Sequence, residues 1–178
     1  QAVANEENMQ LDAARNLLAV MGDAYRLIGG RADKLSDLLA SLKQRSRIYA
    51  AFGLVGPDGR LRVGSAPFDA GQRFSGRIWF SAGLQNKGLS IGPYEGDHIG
   101  GEPVLYVAQP VFDGQGTIVA VAFAALNLNM MNRTMFKQLG ELPQGSRLSL
   151  LDERQGMLRF DVGTQQWSLP QNVSPDLQ

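Results

Sequence analysis

The chain has 178 residues, 17 basic and 17 acidic side chains, one histidine and no cysteine. That length suits one globular domain and a fraction of another, and a hydrophobic share of 44% is that of a folded chain. Zero net charge removes the long-range field that draws phosphate backbones, so nucleic acid is excluded as the main partner, and the lack of cysteine excludes disulfides, thiolate metal sites and thiol nucleophiles.

Residues 1–45 read as helix. Leu11, Ala14, Leu18, Met21, Tyr25 and Ile28 step by 3, 4, 3, 4 and 3, a heptad-like seam. Two uses of that seam stand open: packing on the domain's own sheet, or pairing with a second copy of the chain. Gly29-Gly30 ends the helix. A second helix follows, with Asp33 as its N-cap and Leu35, Leu38, Leu39 and Leu42 on one face. Lys43, Arg45 and Arg47 suit the negative end of its dipole.

From Ile48 the period becomes strand-like. Ile48 to Val55, the turn Gly56-Pro57-Asp58-Gly59 and the return Leu61-Arg62-Val63 predict a hairpin. The same grammar recurs at Val104 to Val111, turning through Phe112-Asp113-Gly114-Gln115-Gly116 and returning along Thr117 to Leu126. A third copy runs from Ser146 to Leu151, turns through Asp152 to Gly156 and returns along Met157 to Phe160. Between the first two lies a Gly-rich segment, Gly71 to Gly101, with a short helix candidate and an irregular loop. Asn127 to Leu139 has helical spacing, ended by Gly140 and Pro143.

These elements predict an α+β fold in which a long N-terminal helix packs on a central antiparallel sheet. Three segments are expected: helices over 1–45, the sheet domain over 46–141, and the start of a second module over 142–178. The last rests on the likeness of the third hairpin to the first, and the alternative is one domain with an extra edge hairpin. The tail with Pro170 and Pro175 reads as a loop or linker. The longest apolar run, Ile118 to Leu126, is nine residues, against roughly 20 for a membrane helix. An opening on Gln1 is in keeping with a piece cut from a longer protein, its second module cut off at Gln178.

Phe74-Ser75-Gly76-Arg77-Ile78-Trp79-Phe80 is the most informative window. In an extended backbone Arg77 lies beside Trp79, a cation against an aromatic face, where its fork can clamp a carboxylate. The structural alternative is an Arg tying down a backbone carbonyl, with Trp79 and Phe80 in the core. Tyr94, Glu95, Asp97 and His98 follow in a loop whose polar tips can close over a small ligand, or simply face water. Glu95, Asp97 and His98 lack the spacing of a metal site. No phosphate loop, Gly-x-Ser-x-Gly or His-Glu-x-x-His occurs, and a single histidine leaves little for a triad, so no catalysis and no cofactor is expected.

Arg77-Ile78-Trp79-Phe80, Gly101 to Leu105, Ala108 to Asp113, Gly116 to Val121 and Leu142 to Ser146 occur in an order that resembles the Cache, or extracellular PAS-like, sensor domains of bacterial transmembrane receptors. The type is that found ahead of diguanylate cyclase or histidine kinase outputs, and the resemblance spans about residues 10–168. It implies a helix rising from the membrane onto a PAS-like sheet of about five strands, with small ligands held between sheet and variable loop. In the double-domain form a second, membrane-proximal sheet begins at the third hairpin. Amino-acid-binding members use Arg-x-Trp-Tyr, a later Tyr and an Asp near the end of the last strand. Here Arg77 and Trp79 match, Phe80 replaces the Tyr, and Ala125 stands where the Asp would be.

The resemblance therefore implies a periplasmic or extracellular sensor whose ligand is a small organic acid rather than an α-amino acid. Arg77 would take the anion, Trp79, Phe80 and Tyr106 would form walls, and Tyr94 and Asp97 would close the lid. A homodimer through the N-terminal helix and membrane anchorage through flanking helices are implied with it. The rival expectations are a ligand-free dimerisation or protein-contact module with a filled pocket, and a cytosolic PAS-like domain holding a chromophore or haem.

Overall fold

Alanine, leucine and methionine dominate the first 27 residues and lose little side-chain freedom in a helix. Helix α1 spans Ala2–Leu27 and α2 spans Ala32–Arg45. The computed structural model describes residues 2–29, 32–65, 67–69, 71–131, 147–151, 157–161 and 166–168. The α1 seam is taken up inside the domain. Ala14, Leu18 and Met21 are fully buried, and the helix lies against two strands of the sheet, β5 (Glu102–Phe112) and β6 (Ile118–Asn127). The middle of that seam thus packs on the domain's own sheet, while Leu11, Tyr25 and Ile28 are partly buried against the same core.

Helix α2 differs from expectation in three details. It starts at Ala32, so Asp33 lies in its first turn, where a carboxylate complements the helix dipole, rather than at the N-cap. Leu35 and Leu39 are fully buried, while Leu38, at the margin of the apolar stripe, is 42% exposed. Arg47 falls beyond the helix end.

Both expected hairpins of the main domain form. Strand β1 is Tyr49–Val55 and β2 is Leu61–Gly64, and β5 pairs with β6. Their turns are fixed by aspartates. Asp58 accepts from the Arg60 N–H at 3.2 Å, and Asp113 accepts from Gln115 and Thr117 N–H groups at 2.8 Å each. These bonds hold the Asp113 carboxyl below its usual pKa. The Gly-rich segment contributes α3 (Ile78–Gln85), β3 (Ser90–Ile91) and β4 (His98–Ile99). The sheet has six strands in the order β2-β1-β6-β5-β3, with β4 added on β5.

Side chains alternate between two cores. Phe52, Leu54, Val107, Val111, Ala120, Ala122 and Ala124 meet α1 and α2 on one face. Ala51, Val55, Tyr106, Ala108, Val121, Phe123 and Ala125 meet α3 and the Gly-rich segment on the other. The nine-residue apolar run is thus the central strand, covered on both faces.

Strands β7 (Arg147–Leu151), β8 (Met157–Asp161) and β9 (Gln166–Ser168) form a second, three-stranded antiparallel sheet. Its first two strands are the expected third hairpin. Residues 128–131 are helical and Asn127 Oδ1 accepts from the Met130 N–H at 3.0 Å, while the rest of the helix expected up to Leu139 lies outside the described residues. So do the expected boundary at 141–142 and the tail over 169–178.

Gly53 of β1 faces Phe123 of β6. A Cβ at Gly53 would stand 2.6 Å from the Phe123 ring and 3.0 Å from the Val63 carbonyl oxygen. Gly53→Ala is expected to destabilise the domain by about 1–3 kcal/mol, read from urea unfolding. An unchanged midpoint would contradict this packing.

Candidate functional site

The site begins with the chain crossing from β2 to α3. The Leu61 N–H donates to the Gln72 carbonyl at 2.8 Å and the Phe74 N–H donates to the Gly59 carbonyl at 2.7 Å. This lays residues 72–74 along the first hairpin and delivers Arg77 to the start of α3. Arg77 is the N-cap, extended at φ −89° and ψ 136°, and its carbonyl accepts from the Ser81 N–H at 3.2 Å.

Because α3 begins at Ile78, Arg77 and Trp79 are not neighbours along an extended strand as the sequence suggested. The guanidinium instead lies over the Tyr106 ring, 5.9 Å from its centroid, on β5. Trp79 is fully buried and stacks on Tyr106, with centroids 5.0 Å apart and an interplanar angle of 9°. Phe123 lies under Trp79 at 4.9 Å. The loop comes close above this stack. A Cβ at Gly92 would meet the Trp79 Cβ at 2.7 Å, and the Gly92 N–H donates to the Tyr106 carbonyl at 2.8 Å.

Arg77 Nη2 donates to Asp97 and stands 3.5 Å from Glu95 Oε2. The second contact is an ion pair without hydrogen-bond geometry, and Glu95 Oε2 and Arg77 Nε are both buried without a hydrogen-bond partner. Beside this cluster lies a cleft of about 300 Å³, lined by Phe68, Phe74, Arg77, Asp97, His98 and Tyr106, with Pro67, Gln72, Arg73 and Ile99 completing it.

Of the expected site residues, Arg77, Asp97 and Tyr106 therefore meet at one cleft. Trp79 is the layer behind Tyr106, and Phe80 is buried in the core under α3, without lining the cleft. Tyr94 is half-buried outside the lining, and its phenol is pushed up by burial. Ala125 faces Tyr106 in register and is fully buried. Sequence reasoning missed Phe68 and did not give Phe74 a place in the lining. Phe68 stands edge-on to Phe74 at 5.5 Å and to Phe123 at 5.6 Å, a contact set by folding rather than by spacing. Among the described residues no group of three acidic or histidine side chains is gathered to hold a metal.

A larger, open hollow of about 650 Å³ lies where the end of α1 meets the β5–β6 turn, lined by Tyr25, Arg26, Leu27, Gly29, Asp113, Gly114 and Val119. Its charges are engaged. Arg26 pairs with Asp23 and donates to the Phe112 carbonyl at 3.2 Å, and Asp113 serves the turn. The smaller cleft, with the unpartnered Arg77 Nε at its wall, is the better candidate.

A helix-backed antiparallel sheet whose other face carries a small aromatic cleft under a polar loop defines a PAS-like sensor domain. The chain belongs to the Cache domain family, whose sequence model (dCache_1) matches residues 1–174. Cache domains are non-catalytic, extracytoplasmic portions of membrane receptors, and this chain is one of them. Among the described residues no helix is long and apolar enough to cross a membrane.

The fold is shared with solved structures of low sequence identity. The ligand-binding domain of the Pseudomonas fluorescens chemoreceptor CtaA, in complex with L-serine, matches at TM-score 0.68 and 15% identity over 88% of this chain and 66% of that one. An extracellular ligand binding receptor from Desulfohalobium retbaense matches at 0.66 and 16% over 80% of this chain and 27% of that one. The ligand-binding domain of the Pseudomonas aeruginosa amino acid chemoreceptor PctC, in complex with GABA, matches at 0.62 and 19% over 85% and 68%. The chain thus spans about two thirds of the chemoreceptor domains and a smaller part of the receptor. No curated protein sequence matches it.

Burial raises the phenols of Tyr49 and Tyr106 above their usual 10.0. At Tyr106 the Arg77 charge opposes the rise and the Glu95 charge adds to it. A raised folded pKa means stability that is complete below the unfolded value and lost as pH climbs past it. Unfolding midpoints are therefore expected to fall above pH 10.0. Arg77→Gln is expected to push the Tyr106 phenol still higher in an absorbance titration. A downward move would contradict the placement of Arg77 over that ring.

Proposed function

We propose that this chain senses a small organic molecule bearing a carboxylate, on behalf of a bacterial transmembrane signalling receptor. The observation that carries the reading is the Arg77 guanidinium at the wall of an aromatic cleft with one buried donor unpartnered. The ligand's carboxylate replaces Asp97 on the guanidinium, a bidentate match worth more than a point contact. Release of Asp97 frees the loop. Binding then favours a second arrangement of the domain by its differential affinity. The L-serine and GABA complexes of similar folds support a ligand of this size.

The signal passes through α1, which packs on the strand bearing Tyr106, and through a second module beginning near residue 142. The separate sheet β7-β8-β9 supports that division. The output is a diguanylate cyclase, a histidine kinase or a chemoreceptor signalling domain. Dimerisation through α1 uses a second stripe, since the first faces the sheet. Ala13, Val20 and Leu27 recur every seven residues and are exposed, Val20 by 61% and Leu27 by 87%, while Leu17 and Ala24 between them pack partly on the domain's own core. This is the period of a helix that meets another helix, which points to a second copy as the occupant.

Two tests follow. In a thermal-shift screen of short organic acids, stabilisation of the wild-type protein is expected to vanish in Arg77→Ala. Stabilisation that survives the substitution unchanged would overturn the role of Arg77. In sedimentation, Val20→Asp with Leu27→Asp is expected to shift the protein to monomer. Unchanged association, or a wild-type monomer at high concentration, would refute the α1 contact.

A further inference from the structure

We infer that Glu102 and Asn129 form a relay that ties the loop over the cleft to the start of the chain leading to the second sheet. The relay rests on the proposed function only for the release of Asp97 from Arg77, and it is the route by which that release leaves the site.

The loop ends in a short, stiff hairpin. Asp97, His98 and Ile99 line the cleft, and β4 sets His98 against Pro103 and Ile99 against Glu102. The turn between them is Gly100-Gly101, with φ of 62° and 82°. Positive φ at both central residues gives the tight turn whose twist suits paired strands, and glycine adopts it at no steric cost. The Val104 N–H donates to the Asp97 carbonyl at 2.9 Å. Residues 97–99 and 102–104 therefore move as one body, and a displacement of Asp97 carries Glu102 with it.

Glu102 lies where β5 runs past the end of its partner strand. Val104 stands opposite Asn127 at the last paired position of β6. Continued along both chains, that register would set Glu102 against Asn129, but the backbone has turned helical at Leu128. The side chains meet instead. Asn129 Nδ2 donates to Glu102 Oε2, and both residues are half-buried. A hydrogen bond to a carboxylate is among the stronger ones in a protein, and partial burial shields it from water.

The neighbours of Asn129 are held by the sheet. The Asn127 N–H donates to the Ile48 carbonyl at 2.7 Å, Asn127 Oδ1 accepts from the Met130 N–H at 3.0 Å, and Leu128 is fully buried. Movement of the loop thus acts on one anchor of a segment whose other anchors stay in place. That is a differential contact of the kind a shift between two arrangements needs. Residues 128–131 precede the second sheet in the chain, so the site and that sheet are joined through them.

Hydrogen exchange tests the relay without a ligand, because Arg77→Ala leaves Asp97 released. The Met130 amide is the probe, and the β1 amides report opening of the whole domain. Arg77→Ala is expected to speed exchange at Met130 at least about threefold relative to β1. In a Glu102→Ala background, where exchange at Met130 is already raised, it is expected to add nothing. Glu102→Gln keeps an oxygen for Asn129 and is expected to restore the response. Asp97→Ala breaks the same ion pair and serves should Arg77→Ala fail to fold. Exchange at Met130 unmoved by release of Asp97, or speeded equally with and without Glu102, would overturn the relay. Short organic acids that still stabilise the wild type would in that case leave the cleft as the site and remove the relay alone. The expected exchange response with no stabilising acid would support the relay and overturn the reading of the cleft.

Discussion

Burial of the central strand on both faces is the constraint from which the rest follows. β6 has no polar face, so each side must be covered by something else in the chain. The two N-terminal helices cover one side, where alanines at 120, 122 and 124 let a helix approach closely. The other side receives α3 and the Gly-rich segment, which are too small to seal it and leave the cleft beside Tyr106. The site is the part of the second face that short elements fail to fill.

Arg77 stands at that gap because the backbone bonds of residues 72–74 fix where α3 begins. Its pairing with two carboxylates makes a poor stabilising device. Partly buried ion pairs recover little more than their desolvation, and this one leaves a donor and an acceptor unmatched. The same shortfall makes an exchangeable site, since a ligand with the right groups gains what the resting cluster leaves unmade. Tyr106 joins the two halves of the arrangement. One face of its ring stacks on Trp79, and the Arg77 guanidinium lies over the ring within cation–π range.

The architecture was largely legible in the sequence, because period and turn chemistry act locally. Asp58 and Asp113 marked hairpins that formed where expected, and the change of period at Ile48 marked the passage from helix to sheet. What was not legible depended on which surfaces meet. A seam at 3.5-residue spacing serves a partner helix or a sheet equally well, and only the position of β5 and β6 decides for the sheet. The pairing of Arg77 with Asp97, 20 residues away, follows no spacing rule. Neither does the relay from Trp79 to Tyr106. The sequence singled out Arg77, Asp97 and Tyr106 as residues, but placed Arg77 beside the wrong ring.

The exchange at Arg77 is the central claim, and a crystal structure with a bound short organic acid tests it most directly. The result expected is a ligand carboxylate on the Arg77 guanidinium with Asp97 withdrawn from Nη2. A ligand seated elsewhere, such as the hollow beside Arg26 and Asp113, with the Arg77–Asp97 pair intact, would contradict it.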